Sequence, residues 1–516
     1  MTIVKSRFDP VSPTSLSVTE RLFQGLQRDP DRTVLTDGPT GRTMTASDLE
    51  TGIRRLASGL LARGCGTGTV TALMAPNIPE YVIVFHGAAY AGGAITTVNP
   101  TYTADELHHQ LRDSGATLLV TIPQFLETAR VGIEGTGVTE IVVIGEAEGA
   151  TPLATLLGEP LQNQIPVDLD EDVVALPYSS GTTGLPKGVM LTHRNLVMNI
   201  DQTLVAADVR SEDVTIAFLP FFHIYGLTVL MNLHLAHGAS LVTMPRFDLE
   251  LFLELVQTHR PRSLYCVPPV AIALAKHPVV DQFDLSSVEI FFSAAAPLGA
   301  ELGEAVATRL GCCSMQGYGM TELSPVSHLV HRDAPRPGSC GQTIPNTECR
   351  IVNPETGEIC GTGEQGELWV RGPQVMKGYL NNPEATAATI TPDGWLRTGD
   401  LASFDADGYL FIHDRLKELI KVKGFQVAPA ELEAVLLTHP DVADAAVIGV
   451  PDEEAGERPA AFVVAKPGTE PSEEALKAHV AEKLSSYKAL SEVRFIDTIP
   501  KAASGKILRR VLRAQA

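Results

Sequence analysis

The stretch Tyr178 to Val189 reads YSSGTTGLPKGV and packs three glycines, four small hydroxyl side chains and one lysine into twelve residues. It is not a P-loop. Counted from Gly181, the pattern G-x-x-x-x-G-K-[ST] needs glycine where Pro186 stands and a hydroxyl where Gly188 stands, so the hydroxyl that would bind magnesium is missing. What remains is a glycine-freed loop with Ser179, Ser180, Thr182 and Thr183 as donors and Lys187 as a mobile cation, which are parts for gripping a polyphosphate. A polar surface turn has the same composition. The flanks favour the phosphate reading, because VVALPYSS reads as a buried strand running in and GVMLTHRNLVMNI as a helix leaving.

Working outward, 516 residues at 44% hydrophobic and 20% charged suit a folded chain with several lobes and large cores. The 61 acidic and 40 basic residues leave a formal charge of -21, which repels nucleic acid and anionic membranes, so small anions need a dedicated site. Seven cysteines (Cys65, Cys266, Cys312, Cys313, Cys340, Cys349 and Cys360) form no C-x-x-C pair and an odd count. That argues against a disulfide framework or a zinc site and for a reducing, cytoplasmic setting. MTIVKSRFDPVSPTS has charges and prolines where a signal peptide needs an apolar run, and LRAQA carries no prenylation or peroxisomal address. Residues 214–245 lack Lys, Arg, Asp and Glu, but their histidines, Asn232, Pro220 and Gly226 predict a buried lining segment rather than a membrane span.

Between about residues 50 and 330, helix-like and strand-like pieces alternate (PEYVIVFHGAAYAGGAITTV, ADELHHQLRDSGATLLVTI, SVEIFFSAAAPLG), the pattern of parallel sheets with crossover helices. From about 338, short Gly-bounded strands such as GELWVRG and GYLFIHD predict a small β-rich lobe. After DRLKELIKVKGFQ comes an α+β segment of about a hundred residues, a common size for an independent unit. The last sixteen residues hold Lys501, Lys506, Arg509, Arg510 and Arg513 without an acid; this basic tip is either a solvated helix end or an anion site. His108–His109, His234/His237 and His328/His331 lack a convincing third ligand, which argues against metal there.

Four further stretches bear on chemistry. QGYGMTE places Thr321 and Glu322 beside a glycine-loosened turn, where hydroxyl and carboxylate could hold a phosphate and its Mg2+. WLRTGD ends in Asp400, DRLKELIKVKG supplies Arg415, Lys417 and Lys421, and PKAASGKILRR presents Lys506 after a glycine. Each alone reads equally well as a turn or an exposed helix start.

Together, SSGTTGLPKGV, FFHIYG, QGYGMTELSP, GELWVRGPQVMKGYL, RLKELIKVKGFQVAPAELE and PKAASGKILRR resemble, in order and over nearly the whole chain, the adenylate-forming enzymes, and most of all the 4-coumarate:CoA ligase branch. The resemblance implies an α/β fold: a large N-terminal domain of parallel αβα sheets with a small β-rich lobe (1–416) and a mobile α+β C-terminal domain (417–516), with Lys417 as the hinge. It implies an AMP-forming acid–thiol ligase using ATP, Mg2+ and CoA. ATP or AMP would be held by Ser179, Ser180, Gly181, Thr182, Thr183, Lys187, Gln316, Gly317, Tyr318, Gly319, Thr321, Asp400, Arg415 and Lys506, with Glu322 on the metal. Lys506 would serve adenylation; after rotation Lys421, with Lys423, Gly424, Phe425 and Gln426, would serve thioester formation. His223 would gate or orient the carboxylate.

By the same resemblance the acyl pocket is His223, Tyr225, Gly226, Val229, Phe292, Ala294, Ala295, Gly317, Gly319, Pro325 and Val326. Plant hydroxycinnamate ligases typically have serine and lysine at the places of Val229 and Phe292. If no other donor reaches the ring, cinnamate should therefore match or exceed 4-coumarate, and a flat slot between Gly317 and Ala294 should favour aryl over fatty acids. A medium-chain fatty acyl-CoA ligase, a carrier-loading enzyme or luciferase, and a silent nucleotide-binding protein are the competing readings. The partners implied are a small carboxylate, ATP and CoA, for a monomer or homodimer without nucleic acid or membrane insertion.

Overall fold

Strand Val70–Met74 is the spine of the amino-terminal half, buried along its length between parallel neighbours Ala94–Thr97 and Ala116–Thr121. Helices Pro79–Tyr90 and Ala104–Ser114 make the crossovers, the second started by Thr103 and Glu106, which cap each other's backbone N–H groups. The computed structural model describes residues 3–179, 186–423, 425–452, 454–502 and 505–515.

This nine-stranded sheet runs through Glu140–Val143 to Thr151–Pro152 at one end and through Val173–Ala175 to a hairpin at the other. A second sheet sets Thr33–Asp37, Ser240–Thr243 and Val214–Ala217 in parallel; a third does the same with Ser263–Cys266, Ile290–Ser293 and Cys313–Gly319. All three sheets turn antiparallel at an edge, through Lys187–Thr192, Thr43–Thr45 and Val326–Leu329, so the expected parallel αβα layers are mixed at their margins.

The segment after the glycine-rich loop departs from expectation. GVMLT is strand, not helix: Val189 and Leu191 are buried while Lys187–Thr192 pairs with Val173–Ala175 on one side and Gly378–Tyr379 on the other. The helix begins only at His193, where Thr192 and Asn195 form a capping box. Strands Tyr178–Ser179 and Lys187–Thr192 therefore pair as two arms of a hairpin, and the helix starts only after the second arm.

The charge-free run is a buried lining, as its composition implies. It contains strands Val214–Ala217 and Ser240–Thr243 around a π-helical segment, Tyr225–Leu233, whose residues are all buried. Asn232 Nδ2 donates to Leu227 O at 2.9 Å, and His234 Nδ1 bonds Val229 O at 2.8 Å, satisfying carbonyls in the wide turns. Among the described residues no helix is long and apolar enough to cross a membrane.

An antiparallel β lobe follows, built on Glu348–Val352, Gly366–Arg371, Leu396–Phe404 and Leu410–Arg415. Beyond it, the long hairpin Val442–Asp452 and Gly456–Ala465 carries helices Pro429–Leu437 and Glu473–Lys483. Its apolar clusters use only residues after 419, whereas the β lobe's end at Ile412.

At Gly341 the chain meets the third sheet with no room for a side chain. Gly341 has φ 92°, and a Cβ there would lie 1.8 Å from the carbonyl carbon of Leu329, whereas Gly311, at φ 66°, faces open space. Gly341→Ala should lower the thermal midpoint by about 8 °C or more, and Gly311→Ala by only about 2–4 °C. Equal shifts in a melting experiment would refute the packing argument.

Candidate active site

The hairpin sets the phosphate loop's feet: Tyr178 pairs with Gly188 and Ser179 with Lys187, and the Tyr178 hydroxyl donates to Asp113 Oδ2 at 2.6 Å. Ser180, Gly181, Thr182 and Thr183 lie outside the described residues. Lys187 opens its strand with Nζ 5.0 Å from the centroid of the Tyr379 ring, and the Tyr379 hydroxyl donates to Glu322 Oε1 at 2.9 Å. One tyrosine thus stands between the loop's lysine and the candidate metal carboxylate. Motif reading passed over Tyr379, although GYL lay inside a quoted stretch; no local pattern marks a phenol that reaches Glu322 across the fold.

Thr321 and Glu322 form a single turn after strand Cys313–Gly319; Glu322 is buried and Thr321 partly exposed. On that strand Gln316 spends both ends of its amide on the backbone of Leu298 (3.3 and 3.2 Å), fixing the SAAAPLG loop. The buried Tyr318 hydroxyl donates to Asp400 Oδ2 at 2.5 Å. Arg415 Nε reaches Asp400 Oδ1 at 3.3 Å from the paired position on the adjacent strand. Asp400 is thus gripped on both oxygens, by a neutral and a charged donor.

Lys506 arrives from the far end of the chain on a turn closed by Ala502 N–H to Lys506 O at 2.8 Å. Gly505, at φ 80°, leads into it, and a Cβ there would stand 3.1 Å from Pro269 Cδ and 3.2 Å from Val267 Cβ. Burial, and then the Arg415 guanidinium, bring the lysine's pKa down to about 8, against the pull of Asp400, Glu418 and Glu322. His223 shares this environment: burial first, and the Lys506 cation second, hold its pKa near 4. Its Nδ1 accepts from Tyr225 N–H at 3.3 Å, which leaves the proton on Nε2 as a donor for a carboxylate.

Lys506, Arg415, Asp400, Glu322 and His223 therefore share one electrostatic neighbourhood. The thioester set stands outside it. Lys421 pairs with Gln426 in a hairpin where both are exposed, Lys423 bonds Glu454 at 2.5 Å, and exposed Phe425 stacks on Tyr487 at 4.8 Å. Gly424 lies outside the described residues, and Lys417 is exposed in the turn after Arg415. The basic tip is largely paired with acids: Lys501 with Asp444 (2.6 Å), Arg509 with Glu433 (2.6 Å) and Arg513 with Glu418 (2.7 Å), while Arg510 and Arg513 stay exposed.

The residues expected to line the acyl pocket have differing surroundings, some of which depart from expectation. A Cβ on Gly317 would meet Phe292 Cζ at 2.6 Å, so the phenyl ring closes the slot expected beside it. Gly226 and Gly319 are shaped by backbone instead: Cβ atoms there would lie 2.1 Å from Pro220 O and 2.3 Å from Pro325 O. Val229, Pro325 and Val326 are buried, Ala294 is partly buried, and Ala295 is exposed at φ 72°. Tyr225 is buried with no partner for its hydroxyl among the described residues, and Tyr265 packs on Phe292 at 5.7 Å.

Comparison with known proteins places this geometry. Residues 22–380 match the family of AMP-binding enzymes and residues 431–506 the AMP-binding enzyme C-terminal domain. The chain is 44% identical to 4-coumarate–CoA ligase 1 of Petroselinum crispum over 98% of its own length and 94% of the relative's. Its structure resembles the anthranilate CoA ligase AuaEII in complex with anthranoyl-AMP (TM-score 0.90, 29% identity, 98% of each chain). It also resembles MatB of Rhodopseudomonas palustris at 30% identity, covering 97% of this chain and 99% of that one, with TM-score 0.88 for the ATP-bound form and 0.78 for the apo form. With family matches across both parts of the chain and a relative aligned almost end to end, the chain belongs to the adenylate-forming AMP-binding enzymes, as an AMP-forming acid–thiol ligase of the 4-coumarate–CoA ligase-like branch.

Proposed function

We propose that the enzyme activates an arylalkenoate such as cinnamate or 4-coumarate in two steps at one site. A carboxylate oxygen attacks the α-phosphorus of ATP, forming the acyl O–P bond and releasing pyrophosphate. The thiolate of CoA then attacks the acyl carbon, and the C–O bond to AMP breaks. The observation that carries this reading is the convergence of Lys506, Arg415, Asp400, Glu322 and His223 around one space. Lys506 compensates charge on the α-phosphate, the Lys187 loop holds the outer phosphates, Thr321 contacts the α-phosphate, and Asp400 with Arg415 fixes the ribose.

Glu322 fits Mg2+, which commonly takes one or two carboxylates together with substrate phosphates: it is a buried carboxylate oriented through one oxygen by Tyr379. Bound there, the ion would supply charge neutralisation on the nucleotide. Tyr379→Phe should therefore raise the Mg2+ concentration needed for half-maximal pyrophosphate exchange and cut kcat/KM for ATP by about tenfold. An unchanged Mg2+ dependence would remove Tyr379 from this role.

For the second step, residues 417–516 turn about Lys417 as a unit, withdrawing Lys506 and bringing in Lys421. The separate apolar clusters on either side of residue 417 and the exposed Lys421 hairpin support this. So does the better match to ATP-bound than to apo MatB. Four buried cysteines among seven free ones suit a cytoplasmic enzyme, as monomer or homodimer.

Lys506 carries its charge below about pH 8 and loses it above. The kcat/KM for carboxylate-dependent pyrophosphate exchange should thus fall as pH rises through about 8, while nucleotide phosphates move the limb in kcat higher. In Lys506→Arg the limb should disappear from this range. A flat wild-type profile from pH 7 to 9.5 would contradict the assignment.

Tyr225 changes the expected substrate order. Its buried hydroxyl, without a partner among the described residues, would be the ring partner that Val229 and Phe292 do not offer, and pairing it would be worth about 1 kcal/mol. The kcat/KM for 4-coumarate should exceed that for cinnamate about threefold to fivefold, with caffeate and octanoate below both. Tyr225→Phe should erase the advantage. ADP rather than AMP as product, or the same ratio in both enzymes, would overturn the reading.

A further inference from the structure

Helix Pro429–Leu437 begins without a cap of its own: Ala428 has no side chain to offer, and Pro429 has no N–H. The first donor in need of a partner is Ala430 N–H, and it finds Asp414 Oδ2 at 2.9 Å. Asp414 lies on the other side of the Lys417 turn, in strand Leu410–Arg415, next to the arginine that grips Asp400. Only 6% of it is exposed, and Oδ1 accepts from Arg415 N–H at 2.7 Å.

Three further charged groups, Arg509, Glu418 and Glu433, act on this carboxylate. Arg509 attracts it, while Glu418 in the turn repels it and pairs with Arg513 at 2.7 Å. Arg509 is itself committed to the moving side, through Glu433 Oε1 at 2.6 Å and Val447 O at 3.1 Å, and it follows Lys506 by three residues.

We propose that Asp414 is a positioning residue for the adenylation half-reaction: it ties helix Pro429–Leu437 to the strand carrying Arg415 and, through Glu433 of that helix, ties in Arg509, and so holds Lys506 in the site. The inference rests on the two-orientation reading above. Asp414 precedes residue 417 while Ala430 and Arg509 follow it, so turning about Lys417 breaks the tie. Its carboxylate then serves only the orientation with Lys506 inward. A helix cap is worth about 0.5–2 kcal/mol, near a factor of ten in the balance between orientations.

The test measures both half-reactions separately. In Asp414→Ala, carboxylate-dependent pyrophosphate exchange should fall about tenfold, while conversion of supplied acyl-AMP and CoA to thioester falls less than twofold. Asp414→Asn, which keeps an acceptor for Ala430 and stays close to the native shape, should lie between, at about threefold. Equal loss in both half-reactions for either variant would make Asp414 a structural support and overturn the proposal. Lys506→Ala serves as the control. If it separates the half-reactions and the Asp414 variants do not, the tie fails alone; if Lys506→Ala also loses both equally, the two-orientation reading falls with it.

Discussion

A lysine cation held away from water is the constraint on which the site depends. Lys506 loses hydration to burial and gains a like charge from Arg415, and each favours the neutral amine. Asp400, Glu418 and Glu322 offset part of this, leaving a group still charged near neutrality but close to losing its proton. Such a cation interacts strongly with an incoming phosphate, since little solvent remains to screen it. The cost of holding it there is spread over parts distant in sequence: the Gly505 turn against Val267 and Pro269, the ion pair of Arg509 with Glu433, and the carboxylates beneath.

The two buried carboxylates of Glu322 and Asp400 are oriented alike. Tyr379 donates to Glu322 and Tyr318 to Asp400, each from a different strand. A phenol fixes a carboxylate's direction without neutralising its charge, so the full negative charge stays available to a metal ion or to the lysine. A second arginine in either place would have consumed it. Arg415 alone approaches closely, at 3.3 Å and from one side. A neutral phenol thus sets the direction of each carboxylate, and at Asp400 the Arg415 guanidinium adds a charged donor.

How much of this was legible in the sequence varied with the range of the signal. Alternating apolar runs marked the crossover strands and helices well, because period and turn residues are local. Lys187, Glu322, Asp400, Arg415 and Lys506 sat in motifs whose order pointed to one site. The segment after the glycine-rich loop was misjudged, since Val189 to Thr192 is short and apolar; only its pairing with strands from opposite directions makes it a strand. Tyr379 and Tyr225 went unassigned or half-read because their meaning lies in what the hydroxyl meets, or fails to meet, across the fold. The basic tip read as either a solvated helix end or an anion site, and its acid partners stand 57 to 95 residues earlier in the chain.

The pocket glycines carry the same lesson to substrate choice. A glycine in a lining segment suggests room for ligand, yet beside Gly226 and Gly319 the room is taken by the chain's own carbonyls. Those two glycines let backbones meet, and enlarging either would distort the wall before it narrowed the pocket. Gly317 differs, because what covers it most closely is side chain: Phe292, braced by Tyr265, and Leu329, with the His328 carbonyl farther at 3.1 Å. Of the three, only that contact can yield by a change of rotamer. The wall beside Gly317 is therefore mostly side chain rather than backbone, and Phe292 with Leu329, not the glycine they cover, limits the space there.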